Sequence, residues 1–104
     1  MSLNVAPEDL HEVQRILHGI IPDRTVVAFG SRVKGTARPS SDLDLLVLND
    51  PPLTLDELSA LTMAFSESNL PYFVDIVSDA DIDDEFRSII MKQTEKVQNE
   101  SSRA

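Results

Sequence analysis

Two aspartates one residue apart, Asp42 and Asp44, open the apolar run Leu43-Asp44-Leu45-Leu46-Val47-Leu48. A β-strand sends alternate side chains to opposite faces, so Asp42 and Asp44 share one face while Leu43, Leu45 and Val47 take the other. Aspartate is a poor strand former, and two like charges side by side repel. A divalent cation repays that cost: hard carboxylate oxygens suit magnesium, which takes one or two carboxylates together with substrate phosphates. Asp75 stands alone in a third apolar run, Tyr72-Phe73-Val74-Asp75-Ile76-Val77. On its own it reads equally as a strand-end surface residue or a functional group. Beside the Asp42/Asp44 pair it completes a carboxylate triad able to hold two metal ions.

Upstream, the run Thr25-Val26-Val27-Ala28-Phe29 reads as a buried strand and leads directly into Gly30-Ser31. A short helix starting at Ser31 would offer free N–H groups to an anion. The bland reading of Ser31 is an ordinary helix cap at a strand–helix junction. No Walker-type Lys-Ser/Thr ending follows. Arg32, Lys34 and Arg38 are candidate phosphate contacts, each weighed against a plain solvated charge. Arg38 is the first choice because Pro39 restrains the approach to Asp42.

Gly30-Ser31, Gly35 and Ser41-Asp42-Leu43-Asp44-Leu45, at this spacing and between two apolar strands, resemble the signature of DNA polymerase β-type nucleotidyltransferases. The length points to their minimal branch, the antitoxin component of modules that pair a minimal nucleotidyltransferase with a HEPN-domain toxin. The resemblance covers roughly residues 24 to 78. It implies AMP transfer from ATP, with two Mg2+ ions held by Asp42, Asp44 and Asp75. Gly30, Ser31, Lys34 and Arg38 would bind the nucleotide. The implied acceptor is a tyrosine hydroxyl on a HEPN toxin partner. Alternatives are a non-enzymatic antitoxin that neutralises by contact, a transferase acting on a small molecule such as an aminoglycoside, and a bland acidic scaffold.

The chain has 104 residues, of which 41% are hydrophobic, and no cysteine. One domain over residues 1–98 with a loose tail at 99–104 is the expectation, in a soluble cytoplasmic protein without disulfides, signal peptide or membrane span. Association with itself or a partner is open. The net charge of −9 argues against broad nucleic-acid binding. Between Pro39 and Phe86 there are twelve acids and no base, whereas Arg24, Arg32, Lys34 and Arg38 fall in an acid-free stretch. That local contrast suits a metal-bound triphosphate, although a solvated surface explains most of the acids.

The elements needed to position these groups form an α/β (α+β) fold, a small mixed sheet with helices packed on it in α-β-α-β-α-β-α order. Residues 1–5 read as a frayed terminus. Pro7 with Glu8 and Asp9 opens a first helix, whose His11 and His18 lack partners at metal-ligand spacing. Asn49-Asp50-Pro51-Pro52 reads as a turn, and Thr54-x-x-Glu57 as a capping box for a helix to about Ser68 with Leu55, Leu58, Leu61 or Thr62, and Phe65 inward. The acidic run from Ser78 to Glu85 fails as an EF-hand loop, with Asp84 and Ile90 where glycine and glutamate are needed. It is read instead as the start of a last helix reaching about Gln98, with Phe86, Ile89, Ile90 and Val97 inward.

Overall fold

The computed structural model describes residues 3–48 and 52–99. Helix α1 spans Pro7–Ile20, with proline in its first turn and Glu8 and Asp9 at its positive end. Strand β1 is Val26–Phe29, and the single-turn helix α2 is Ser31–Lys34. Strand β2 is Leu43–Val47, helix α3 Leu55–Ser66 and strand β3 Val74–Ser78. A 3-10 turn at Asp79–Asp81 precedes helix α4, Asp84–Ile90, and strand β4, Glu95–Gln98, follows it. The sheet order is β3-β2-β1-β4; β1 runs antiparallel to β2 and β4, and β2 parallel to β3.

Strand alternation divides the core. Val26, Ala28, Leu43, Leu45 and Val47 pack with Val13, Ile16 and Leu17 of α1 and Leu61 and Phe65 of α3. Val27 and Leu46 face the other way and meet Ile90 of α4, with Phe29 and Val77 beside them. Phe29, Asp44 and Asp75 therefore lie on the sheet face opposite the two long helices, at the end where β1 finishes and β2 and β3 begin.

The capping box of α3 is closed in both directions: Thr54 Oγ1 accepts from the Glu57 amide at 3.0 Å, and Glu57 Oε1 accepts from the Thr54 amide at 2.9 Å. The expected end of the chain is corrected. Instead of one helix reaching Gln98, α4 stops at Ile90 and a turn leads into β4. An unbroken helix would leave the outer edge of β1 without partners, and pairing with β4 satisfies its backbone groups. Val97 is buried in the α1/α3 core, and its carbonyl accepts from Gln14 Nε2 at 3.0 Å. Phe86 and Ile89, read as inward, are exposed, as is Leu55 of α3. The short α4 presents only Ile90 as a buried residue.

The start of the chain also differs from expectation. Leu3 and Val5 pack against the core rather than fraying, and the Asn4 amide donates to the Arg32 carbonyl at 2.7 Å. Met1, Ser2, the turn residues Asn49 to Pro51 and the tail residues 100–104 lie outside the described residues. No described helix is long and apolar enough to cross a membrane.

Candidate active site

Parallel pairing of β2 with β3 puts Asp44 opposite Asp75 in the register, so their side chains leave the same face as neighbours. Asp42 lies two residues before Asp44, immediately outside the strand and exposed. Asp75 and Asp42 both act on Asp44 electrostatically. The Asp44 carboxyl is pushed above its ordinary value, first by burial, then by the charges of Asp75 and Asp42. Each contribution penalises a second negative charge at one spot, and a cation relieves them all. Among the described residues, no three acidic or histidine side chains already stand so as to enclose an ion. In kind, the donors fit a hard divalent cation, since all are carboxylate oxygens at a point of concentrated negative potential.

Gly30 closes the site from the β1 side. Its φ of 82° and ψ of −155° lie in a region open only to glycine. A Cβ placed there would penetrate the van der Waals shell of Asp44 Oδ2 and stand 3.4 Å from Asp44 Cγ. The backbone thus approaches the carboxylate as closely as a chain can. The amides of Val33 and Lys34 both donate to the Gly30 carbonyl at 3.0 Å, which begins α2. Ser31 is the first residue of α2, and Gly35 ends it in the left-handed conformation at φ 85°. Lys34 and Arg38 are exposed beside this segment.

Arg32 does not reach outward. It is 5% exposed, and its guanidinium donates to four backbone carbonyls: Ser41 at 3.0 Å, Pro39 at 2.9 Å, Arg38 at 3.3 Å and Asn4 at 2.9 Å. The phosphate contact considered for it is thereby corrected, because the side chain is buried with four of its five N–H groups held by carbonyls. Its Cζ lies 4.0 Å from the centroid of the Tyr72 ring. Tyr72 donates its hydroxyl to Asp9 Oδ2 at 3.3 Å, and its pKa is pushed up to about 12, chiefly by burial and then by the Asp9 charge. Nothing local in the sequence distinguishes Arg32 from Lys34, since the carbonyls that claim it come from the far side of the loop and from the N-terminal segment.

Residues 13–103 match the family described as polymerase β nucleotidyltransferases. A protein of Haemophilus influenzae named as a probable protein adenylyltransferase, MntA, is 46% identical over 91 residues, covering 88% of this chain and 80% of its own length. Among solved structures, a toxin–antitoxin complex with AMP-PNP contains a chain that superimposes with a TM-score of 0.73 at 23% identity, covering 88% of this chain and 73% of that one. A Shewanella oneidensis complex of a tri-AMPylated HEPN toxin with its MNT antitoxin gives 0.66 at 19% identity, covering 88% and 71%. At such identities the solved structures speak for the fold, and the family rests on the sequence match across nearly the whole chain. On that match, the chain belongs to the polymerase β-type nucleotidyltransferases.

Proposed function

We propose that this protein transfers AMP from ATP to a tyrosine hydroxyl of a HEPN toxin partner and so acts as its antitoxin in the cytoplasm. The observation that carries the reading is the pairing of Asp44 with Asp75 on adjacent parallel strands, with the Gly30 backbone seated against Asp44. The protein adenylyltransferase name of the 46% identical relative, and the AMPylated HEPN toxin beside the Shewanella antitoxin, support the choice of nucleotide and acceptor.

In this reading Asp42, Asp44 and Asp75 would hold two Mg2+ ions, which would supply charge neutralisation at the phosphates. Gly30 and Ser31 receive the β- and γ-phosphates through backbone N–H and hydroxyl donors, and Lys34 and Arg38 add positive charge. Asp75, on the edge strand and exposed, faces the incoming hydroxyl and takes its proton. The tyrosine oxygen bonds to the α-phosphorus as the bond to pyrophosphate breaks. No histidine or cysteine is needed. The partner supplies the acceptor tyrosine and its surroundings.

The test is intact-mass spectrometry on a HEPN partner incubated with this protein, ATP and magnesium. Addition of one or more AMP units, absent with Asp42→Asn/Asp44→Asn, is expected. A stable complex without added mass would turn the reading to neutralisation by contact. If neither complex nor added mass forms, the acceptor is a different molecule.

A further inference from the structure

We infer that Arg32 is a positioning residue: its buried guanidinium sets the loop that carries Arg38 and Asp42 against the strand that carries Asp75. The proposal rests on the nucleotidyl-transfer reading for its consequence, and on geometry for its substance. Arg32 is one of two buried charged residues among those described. Its four carbonyl partners include three from the loop 36–42, at Arg38, Pro39 and Ser41. Within that loop the Arg38 amide donates to Ser41 Oγ at 2.8 Å and the Ser41 amide to the Arg38 carbonyl at 2.9 Å. The loop is therefore a closed turn, held at its mouth by a planar fork of donors, with Asp42 the next residue.

The other side of the guanidinium meets the other carboxylate-bearing strand. Its cation lies over the Tyr72 ring, and Tyr72 is followed by Phe73, whose carbonyl accepts from the Leu43 amide at 2.9 Å. Two residues beyond Phe73 is Asp75. One side chain thus touches the entry to β2 and the entry to β3, the two segments whose separation decides how Asp42 and Asp44 stand to Asp75. The fourth carbonyl, Asn4, fixes the N-terminal segment to the same point, and the Asn4 amide returns a bond to the Arg32 carbonyl. A buried cation satisfied only by neutral carbonyls and a ring is a costly way to hold a loop. A site that must place carboxylates and a phosphate-binding cation within about an ångström gives that cost a use, since a misplacement of that size costs roughly 100-fold in rate.

The decisive variant is Arg32→Lys, which keeps the charge but replaces a flat fork with a point donor unable to span the carbonyls. Three readouts are taken on the full chain: thermal melting, amide hydrogen exchange across residues 36–42, and AMP transfer to the HEPN partner with KM for ATP and kcat normalised to folded protein. Exchange at residues 36–42 is expected to rise selectively, KM to rise and kcat to fall roughly 10- to 100-fold. Arg38→Ala introduced into Arg32→Lys should cost less than it costs alone, because the first change has already misplaced Arg38. A purely structural role would lower the melting temperature and leave KM, and kcat per folded molecule, unchanged. That result, or full additivity of the two changes with unaltered exchange, overturns the proposal. Should Arg32→Lys fail to fold, Tyr72→Leu removes the ring contact, Tyr72→Phe controls for the lost hydroxyl bond to Asp9, and both are read by the same three measures. If the wild-type protein transfers no AMP, the transfer reading fails, and exchange at 36–42 still decides whether Arg32 holds the loop.

Discussion

Gly30→Ala probes the site through backbone alone. The substitution meets two penalties. The conformation at φ 82°, ψ −155° is essentially reserved to glycine, so an alanine there costs on the order of 1–3 kcal/mol. The new methyl also enters the shell of Asp44 Oδ2, and relief requires either Asp44 or α2 to move, for roughly another 1–3 kcal/mol of overpacking. The matched control is Gly35→Ala. Gly35 has nearly the same φ, 85°, but an added Cβ would meet nothing within 4 Å. Its cost is the left-handed strain alone, roughly 1–2 kcal/mol. Urea unfolding should therefore show about 3 kcal/mol lost for Gly30→Ala, a midpoint shift of roughly 1–2 M for a domain with a slope near 2 kcal/mol/M. The AMP-transfer assay separates the two further. Gly30→Ala should lose at least about 100-fold in kcat/KM, because the displaced group is a carboxylate of the site. Gly35→Ala should stay within a few-fold of wild type. Equal losses from both variants, or near-normal transfer by folded Gly30→Ala, would refute the claim that close approach of Gly30 to Asp44 organises the site.

Other outcomes follow from the same geometry. Asp44 has its pKa raised by burial and by Asp75 and Asp42, so its folded form favours the proton. Its contribution to stability is fully present below the usual carboxylate value of 3.8 and is lost as pH rises through the raised value in the folded state. Asp44→Asn should accordingly be more stable than wild type at pH 7, with the difference shrinking as pH falls toward 3; an Asp44→Asn variant less stable than wild type at pH 7 would contradict this. Tyr72 is the only tyrosine and there is no tryptophan, so absorbance titration sees a single group. Its midpoint should lie near 12, and a midpoint near 10 would show that burial and Asp9 do not act on it as described. Thr54→Ala opens the capping box and should cost about 1 kcal/mol of stability without touching transfer, as urea unfolding and the mass assay would show.

What could be read from the sequence follows the range of the forces involved. The strand that carries Asp44, the Gly30 turn, the start of α2 at Ser31 and the Thr54 capping box depend on neighbours within a few residues, and their residue types disclose them. Asp75 was readable as a lone carboxylate in an apolar strand, but its partner was not. That Asp44 is its neighbour comes from parallel pairing of β2 and β3 across a helix. The end of the chain misled because Phe86, Ile89, Ile90 and Val97 recur at helical intervals, while the real constraint is the vacant edge of β1, which no local pattern carries. Periodicity likewise assigns Phe86 and Ile89 inward, though α4 is too short to bury more than Ile90, and it assigns Leu55 inward although the first residue of α3 is exposed.

Arg32 marks the sharper boundary between chemistry that spacing reveals and chemistry that only a fold creates. Three cations stand between Gly30 and Asp42, and charge alone makes each of them a candidate for phosphate without telling which. The fold divides them. Lys34 and Arg38 remain exposed, while Arg32 turns inward to carbonyls that include Asn4, 28 residues away. On the proposed function, the division has a physical basis in the two kinds of work a nucleotide site requires. Exposed cations with free donors meet a ligand that comes and goes. A buried cation with four of its N–H groups held by carbonyls cannot, but it can hold a polar turn together in a place where hydrophobic packing has nothing to grip. The loop between Gly35 and Asp42 has few apolar side chains, with only Ala37 among the aliphatics. Guanidinium-to-carbonyl bonds are the means left to fix it, and on the proposed function the carboxylate of Asp42 at its end is a reason for fixing it.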